Sequence, residues 1–197
     1  STPIKSSAAS DVYKRQVSHH GGTVMMAVSH LYRSFRSIIH RTVGADILSF
    51  PSPASVTQYL NGMKWVLHAN EYCYLASLPI TERIEIFSRF WTLKEALLKG
   101  KGVGIADSSQ PPGSFDFSAA QKEGGVWIAV VCRWICVSWV DKSRALAVAF
   151  EWTKPIQTIS LIQSQPHFTL HVNSTSFSII HFRPELNSIL LFDKEVI

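Results

Sequence analysis

The chain has 197 residues, 46% of them hydrophobic and 17% charged, enough apolar material for one domain or two small ones and too much for wholesale disorder. Lys and Arg number 19 against 14 Asp and Glu, for a formal charge of +5, which suits an acidic partner or a polyphosphate ligand. No dense Lys/Arg stripe interleaved with aromatics supports nucleic-acid binding.

Asp11-Val12-Tyr13-Lys14-Arg15-Gln16 is what a transposon-end sequencing adapter gives when translated in one frame. Residues 1–16 are therefore read as an assembly scar, disordered and outside the fold. Val17 to Ser29 predicts a strand pair, or a strand and turn. Ser18-His19-His20-Gly21-Gly22 supplies turn chemistry, and Thr23-Val24-Met25-Met26-Ala27-Val28 is β-branched and apolar. Thr42 to Ser49 predicts a short apolar strand with Asp46 in its middle, ended by Pro51 and Pro53. Val56, Tyr59, Leu60, Met63 and Val66-Leu67 give Ser55 to Leu67 helical spacing. Asn70 is placed to cap a short helix through Leu75. After Pro79, Thr81 is placed to cap a long helix from Glu82 to Lys99. Its apolar stripe of Ile84, Phe87, Trp91 and Leu98 is widened by Ile86, Phe90, Leu93 and Leu97, so the helix is expected to be central and buried.

Residues 107–114 read as a loop, and Phe115 and Phe117 alternate as in a short strand. Val126 to Val140 and Arg144 to Trp152 read as two strands joined at Asp141-Lys142-Ser143. Strands flanking a helical centre define a mixed α+β class. From Pro155 onward, Ser, Thr and His mix with Ile, Leu and Phe without a sustained period. An added strand layer, a poorly ordered tail and translated non-coding sequence all fit, so residues 155–197 carry no assignment.

Cys73, Cys132 and Cys136 form an odd set with no C-x-x-C and no cluster of further metal ligands. They are read as buried core thiols of a reducing compartment, hence a cytoplasmic protein. The longest apolar run, Val126 to Val140, is interrupted by Arg133 and is too short to span a bilayer. The polar start lacks the apolar region of a signal peptide, and no membrane partner is expected.

Chemistry concentrates in Trp91-Thr92-Leu93-Lys94-Glu95-Ala96-Leu97-Leu98-Lys99-Gly100-Lys101-Gly102-Val103-Gly104. On a helix, Trp91, Glu95 and Lys99 share one face. A carboxylate one turn before an ammonium offers a metal ligand or base beside a cation able to hold phosphate. Taken alone, the pair is also an ordinary helix-stabilising contact worth about 0.2–0.5 kcal/mol, and the glycines are ordinary stop signals. Asp46, within Val43-Gly44-Ala45-Asp46-Ile47, is costly to bury on an apolar strand without a partner, either a divalent cation or a backbone turn. Trp91 is read as core packing. Lys94, about a quarter-turn off the Glu95 face, is read as a surface or phosphate-facing charge.

The long motif resembles, position for position, the signature W-[ST]-x-K-E-[AS]-x-x-K-x-x-G-x-G of the 4'-phosphopantetheinyl transferases of the larger, pseudo-dimeric type. Gly44 to Ile47 resembles the family's G-[IVC]-D-[IVL], with Ala45 a mild departure, and Ser18-His19-His20-Gly21 resembles its S-H-x-G turn. The likeness spans about Val17 to Phe150. It implies a transferase domain over 17–154, mostly the second lobe of the pseudo-dimer and N-terminally truncated, with an antiparallel sheet packed on a long central helix. An isolated lobe would expose the apolar face that normally meets its twin.

The resemblance further implies transfer of the 4'-phosphopantetheine arm of coenzyme A to a serine of an acyl or peptidyl carrier protein of acidic character. Mg²⁺ would be held by Asp46 and Glu95. Glu95 and Lys99 would be the catalytic pair, with Lys99 on the pyrophosphate, and Ser18 and His19 would contact phosphate of coenzyme A. Leu48 stands where one branch of the family carries a third carboxylate, which is more like the fungal and animal lysine-pathway branch. The alternatives are an inactive truncated fragment or a non-catalytic module binding an acidic partner.

Overall fold

The computed structural model describes residues 13–30, 32–34, 37–39, 42–52, 56–141, 143–164, 167–173, 175–180 and 188–191. Its centre is a five-stranded antiparallel sheet ordered β5-β9-β8-β7-β6. These strands are β5 (Val43–Ser49), β6 (Gln121–Glu123), β7 (Val126–Val131), β8 (Trp134–Asp141) and β9 (Arg144–Glu151). A 22-residue helix, α3 (Ile80–Lys101), lies across one face. The α+β class expected from the sequence, an antiparallel sheet on a long helix, is the class observed.

Each face of the sheet builds its own core, as strand alternation requires. On the helix face, Phe87, Phe90, Leu93, Ala96 and Leu97 pack against Trp127, Trp134, Cys136, Ala147 and Ala149. Phe87, Phe90, Leu93, Leu97 and Leu98 are fully buried, each contributing about 1.5–3 kcal/mol relative to exposure. On the other face, Ala45, Ile47, Ile135, Val137, Val148 and Phe150 meet Met25 and Ala27, with Leu161, Leu170 and Val172.

Those last residues come from two further layers. β1 (Tyr13–His20) and β2 (Thr23–His30) form an antiparallel hairpin, and β13 (Ser188–Leu191) adds parallel to β2. β10 (Ile159–Ser164), β11 (His167–Val172) and β12 (Thr175–Ile180) form an antiparallel meander. The sheet face away from α3 is thus covered by β2 and by the meander. In the C-terminal region, which carries no assignment from the sequence, Ile159–Ser164, His167–Val172 and Thr175–Ile180 are strands. β3 (Tyr32–Ser34) and β4 (Ser37–Ile39) pair with each other.

Several boundaries differ from the sequence reading. β1 reaches back to Tyr13, so Tyr13–Gln16, expected to be disordered, pair with Ala27–His30; backbone ladders need no particular side chains. Residues 1–12 lie outside the described residues. The helix α1 (Val56–Gly62) stops early and passes into a 3₁₀ turn at Lys64–Val66. The cap of α2 (Ala69–Ser77) is His68, not Asn70. Its Nδ1 accepts from the Asn70 N–H while Glu71 accepts from the His68 N–H, a reciprocal capping box. α3 starts at Ile80 behind Pro79, without a side-chain cap from Thr81. Phe115 and Phe117 lie in irregular chain after a 3₁₀ turn at Pro112–Ser114. The run from Val126 to Val140 is two strands, folded at Cys132 (φ 54°) and Arg133.

Candidate active site

The site begins with how closely α3 can approach β5. Gly44 and Asp46 are two residues apart on β5 and face the helix together. Their partners across the ladder on β9, Ala149 and Ala147, are small. A Cβ on Gly44 would fall 1.9 Å from the Ala96 carbonyl oxygen and 2.4 Å from the Gly100 nitrogen. Helix and strand therefore touch backbone to backbone, which only glycine allows here. Gly100 is itself inside the helix rather than beyond it, its Cβ position 2.5 Å from the Trp134 ring. Gly102 (φ 78°) ends the helix, with the Gly102 and Val103 N–H groups donating to the Lys99 and Leu98 carbonyls. The glycines of the motif thus have separate tasks: Gly100 packs and Gly102 stops.

This contact brings Asp46 under the last turns of α3. Lys99 Nζ donates to Asp46 Oδ1 at 2.6 Å and lies 4.0 Å from Glu95 Oε2. Ser18 Oγ, from β1, donates to the same Asp46 Oδ1 at 2.9 Å and accepts from Lys99 Nζ at 3.3 Å. The hairpin that carries Ser18 is held against β5 and β9: the Gly21 Cβ position is 2.8 Å from Ser49 Oγ of β5, and Arg144 of β9 donates to Thr23 Oγ1. The structure therefore brings together Ser18, Asp46, Glu95 and Lys99 from three elements. His19, next to Ser18, is exposed, since the pleat turns alternate side chains to opposite faces.

Burial shapes the electrostatics. Desolvation pushes the Asp46 carboxyl above its ordinary value, against the opposing pull of Lys99 and the Ser18 hydroxyl. Glu95 is also raised, by burial first and then by the Asp46 charge, with Lys99 opposing. Two carboxylates share one ammonium, so the cluster carries one negative charge more than it neutralises. That surplus fits a divalent cation. Among the described residues no group of three or more His, Cys, Asp or Glu is placed to hold a metal. Two carboxylates suffice for Mg²⁺, which commonly keeps water or substrate oxygens in its remaining positions.

Lys94 is not the surface or phosphate-facing charge expected from the sequence. Its side chain and that of Glu71 are both 0% exposed, with Nζ 2.9 Å from Glu71 Oε2. Nζ also donates to the Pro112 and Phe115 carbonyls, while Glu71 Oε1 accepts from the Phe117 N–H at 2.9 Å. Burial pushes Glu71 up and Lys94 down, each opposed by its partner. The pair ties α2 and the 112–117 loop to the helix turn that carries Glu95. No local pattern in the sequence signals it, because Glu71 and Lys94 stand on different helices. Trp91 is partly buried against the helix-side core, as a packing residue should be. Of the three cysteines only Cys136 is buried; Cys73 and Cys132 are exposed, the first on a solvent-facing helix position and the second at a strand turn.

An α+β lobe whose helix and strand motifs converge on a carboxylate pair and a lysine defines a class. The sequence matches the model of the 4'-phosphopantetheinyl transferase superfamily over residues 42–150, more than half the chain, and the chain belongs to that superfamily. It is similar to the 4'-phosphopantetheinyl transferase HetI of Nostoc sp. (strain PCC 7120 / SAG 25.82 / UTEX 2576), 42% identical over 66 residues. That alignment covers 34% of this chain and 27% of HetI, so the chain spans about a quarter of that curated relative.

Proposed function

We propose that the protein of which this chain is part moves the 4'-phosphopantetheine arm of coenzyme A onto a serine of an acyl or peptidyl carrier protein. The observation that carries the reading is the convergence of Asp46, Glu95 and Lys99 through one ammonium. Each of these residues falls on a family motif; helical spacing alone pairs Glu95 with Lys99, and the fold adds Asp46 from 53 positions away from Lys99.

Asp46 and Glu95 are the residues that would hold Mg²⁺, with the Ser18 hydroxyl beside Asp46. The ion, when bound, supplies charge neutralisation to the pyrophosphate of coenzyme A. Glu95 takes the proton from the attacking serine hydroxyl. The serine oxygen forms a bond to the phosphorus that bears the pantetheine arm. The bond from that phosphorus to the bridging oxygen breaks, and adenosine 3',5'-bisphosphate leaves. Lys99, one helical turn beyond Glu95, offsets the charge gathering on the leaving phosphate. Ser18, inside the cluster, and His19, exposed on the next position of β1, are assigned to phosphate oxygens of coenzyme A.

The formal charge of +5 supports an acidic carrier protein, because complementary fields speed encounter. Leu48, apolar and buried two residues beyond Asp46, supports a lysine-pathway type of transferase. No helix among the described residues is long and apolar enough to cross a membrane, and a cytoplasmic setting fits cysteines left as free thiols.

The test is incubation with coenzyme A, Mg²⁺ and an apo-carrier protein, read by intact-protein mass spectrometry. The chain is assayed alone and as part of a two-lobed protein. The expected result is the mass gain of the arm on the carrier serine from the two-lobed form. No gain from that form overturns the reading.

A further inference from the structure

We propose that Lys99 is the resident counter-ion of the Asp46–Glu95 pair and yields Asp46 Oδ1 to an incoming divalent cation, so that ammonium and metal take the same carboxylate oxygen in turn. The inference rests on the reading that these two carboxylates hold a divalent ion, and it adds a competition within the site.

The geometry carries it. Lys99 Nζ sits 2.6 Å from Asp46 Oδ1, an ion-pair hydrogen bond on the oxygen that also accepts from Ser18 Oγ at 2.9 Å. That oxygen therefore already has two donors. A divalent ion bound there would face a positive ammonium at contact distance, in a partly buried setting where water screens the repulsion less than at the surface. The groups facing Nζ are Ser18 of β1, Asp46 of β5 and Glu95 of α3 itself. None of them supplies a second anion to retain the lysine once Asp46 is taken, because Glu95 is 4.0 Å away and is the other proposed ligand.

The two lysines of the motif differ in whether they can move. Lys94 is wholly enclosed and makes two carbonyl contacts besides its carboxylate. Lys99 keeps 20% of its side chain exposed, and among the described residues its ammonium is bound only within the cluster. Its long stem allows the head to leave Asp46 without moving the helix. A released ammonium next to the site is then free for an anion. The consequence is an order: the metal frees the cation, and the cation meets the phosphate.

The experiment measures Mn²⁺ binding to the full chain by calorimetry, with folding of each variant checked by circular dichroism. Lys99→Met is expected to bind Mn²⁺ at least tenfold more tightly than the wild type. Asp46→Asn is expected to lose binding in both backgrounds. Equal or weaker binding by a folded Lys99→Met overturns the competition while leaving the carboxylate reading standing. Mn²⁺ binding by neither protein overturns the carboxylate reading and the inference with it. A second measurement uses the unaltered chain. The lysine side-chain ¹⁵N resonance of Lys99, assigned with Lys99→Arg, is followed during titration with Mg²⁺. Movement to the position of a free ammonium supports the exchange; an unchanged resonance at saturating Mg²⁺ overturns it.

Discussion

Lys99 and Asp46 are 53 positions apart in the chain, yet the ammonium of one lies 2.6 Å from the carboxylate of the other. Two glycines make this possible. Gly44 on β5 and Gly100 on α3 let the backbones meet, and the side chains two residues and one residue away are then forced into contact.

Gly44→Ala is expected to destabilise the chain by about 3 kcal/mol or more, because the added methyl meets helix backbone rather than a yielding side chain. Urea unfolding followed by circular dichroism measures the loss. Loss of divalent-ion binding should accompany it wherever the variant stays folded.

Glu95→Gln separates stability from function. The carboxyl has a pKa raised above 4.5 by burial and by Asp46. A raised folded-state value means that its stabilising contribution is present at acid pH and disappears as pH rises through that value. At pH 8 the ionised group is therefore a liability, and Glu95→Gln should be more stable than wild type by up to about 1 kcal/mol. At about pH 4 the difference should vanish. Thermal unfolding at the two pH values decides this.

Arm transfer by the two-lobed protein should fall on the acid side, with a midpoint where Glu95 takes up its proton. Below that midpoint the base is protonated and cannot accept the serine proton. A rate profile from pH 4 to 8 shows the limb. Glu95→Gln should lower the rate about 100-fold or more at pH 8 and remove the limb.

Lys94→Met should cost about 3–5 kcal/mol, since it strands the buried Glu71 carboxylate without its counter-charge. The double variant Glu71→Gln, Lys94→Met should be less destabilised than the sum of the single changes. A double-mutant cycle by chemical denaturation gives the coupling.

A thiol-reactive dye should label Cys73 and Cys132 rapidly in the folded chain, because both are exposed. Cys136 should react only on unfolding: it is enclosed in the helix-side core, and burial drives its thiol far above the ordinary value. Counting labels with and without denaturant checks this.

The sequence by itself determined the long helix, the Asp46 strand and the spacing that puts Glu95 and Lys99 on one face. These follow from local periodicity, from residues one helical turn apart, and from a motif dense enough to be read without coordinates. It also carried the strand pair from Val17 and the β-rich segment after residue 126. It misjudged Lys94, whose partner Glu71 lies on another helix, and it misplaced Cys73 and Cys132. It also merged β7 with β8, because a turn at Cys132 and Arg133 carries no glycine or proline to announce it. Only the tertiary structure decided that Ser18 joins Asp46 while His19 faces solvent, that the meander after Ile159 covers the far side of the sheet, and that Lys94 is a buried tie. Local pattern fixes which way a side chain leaves its own helix or strand. What it meets there depends on how closely two distant segments can pack, and at Gly44 and Gly100 that is a matter of missing atoms on strand and helix at once.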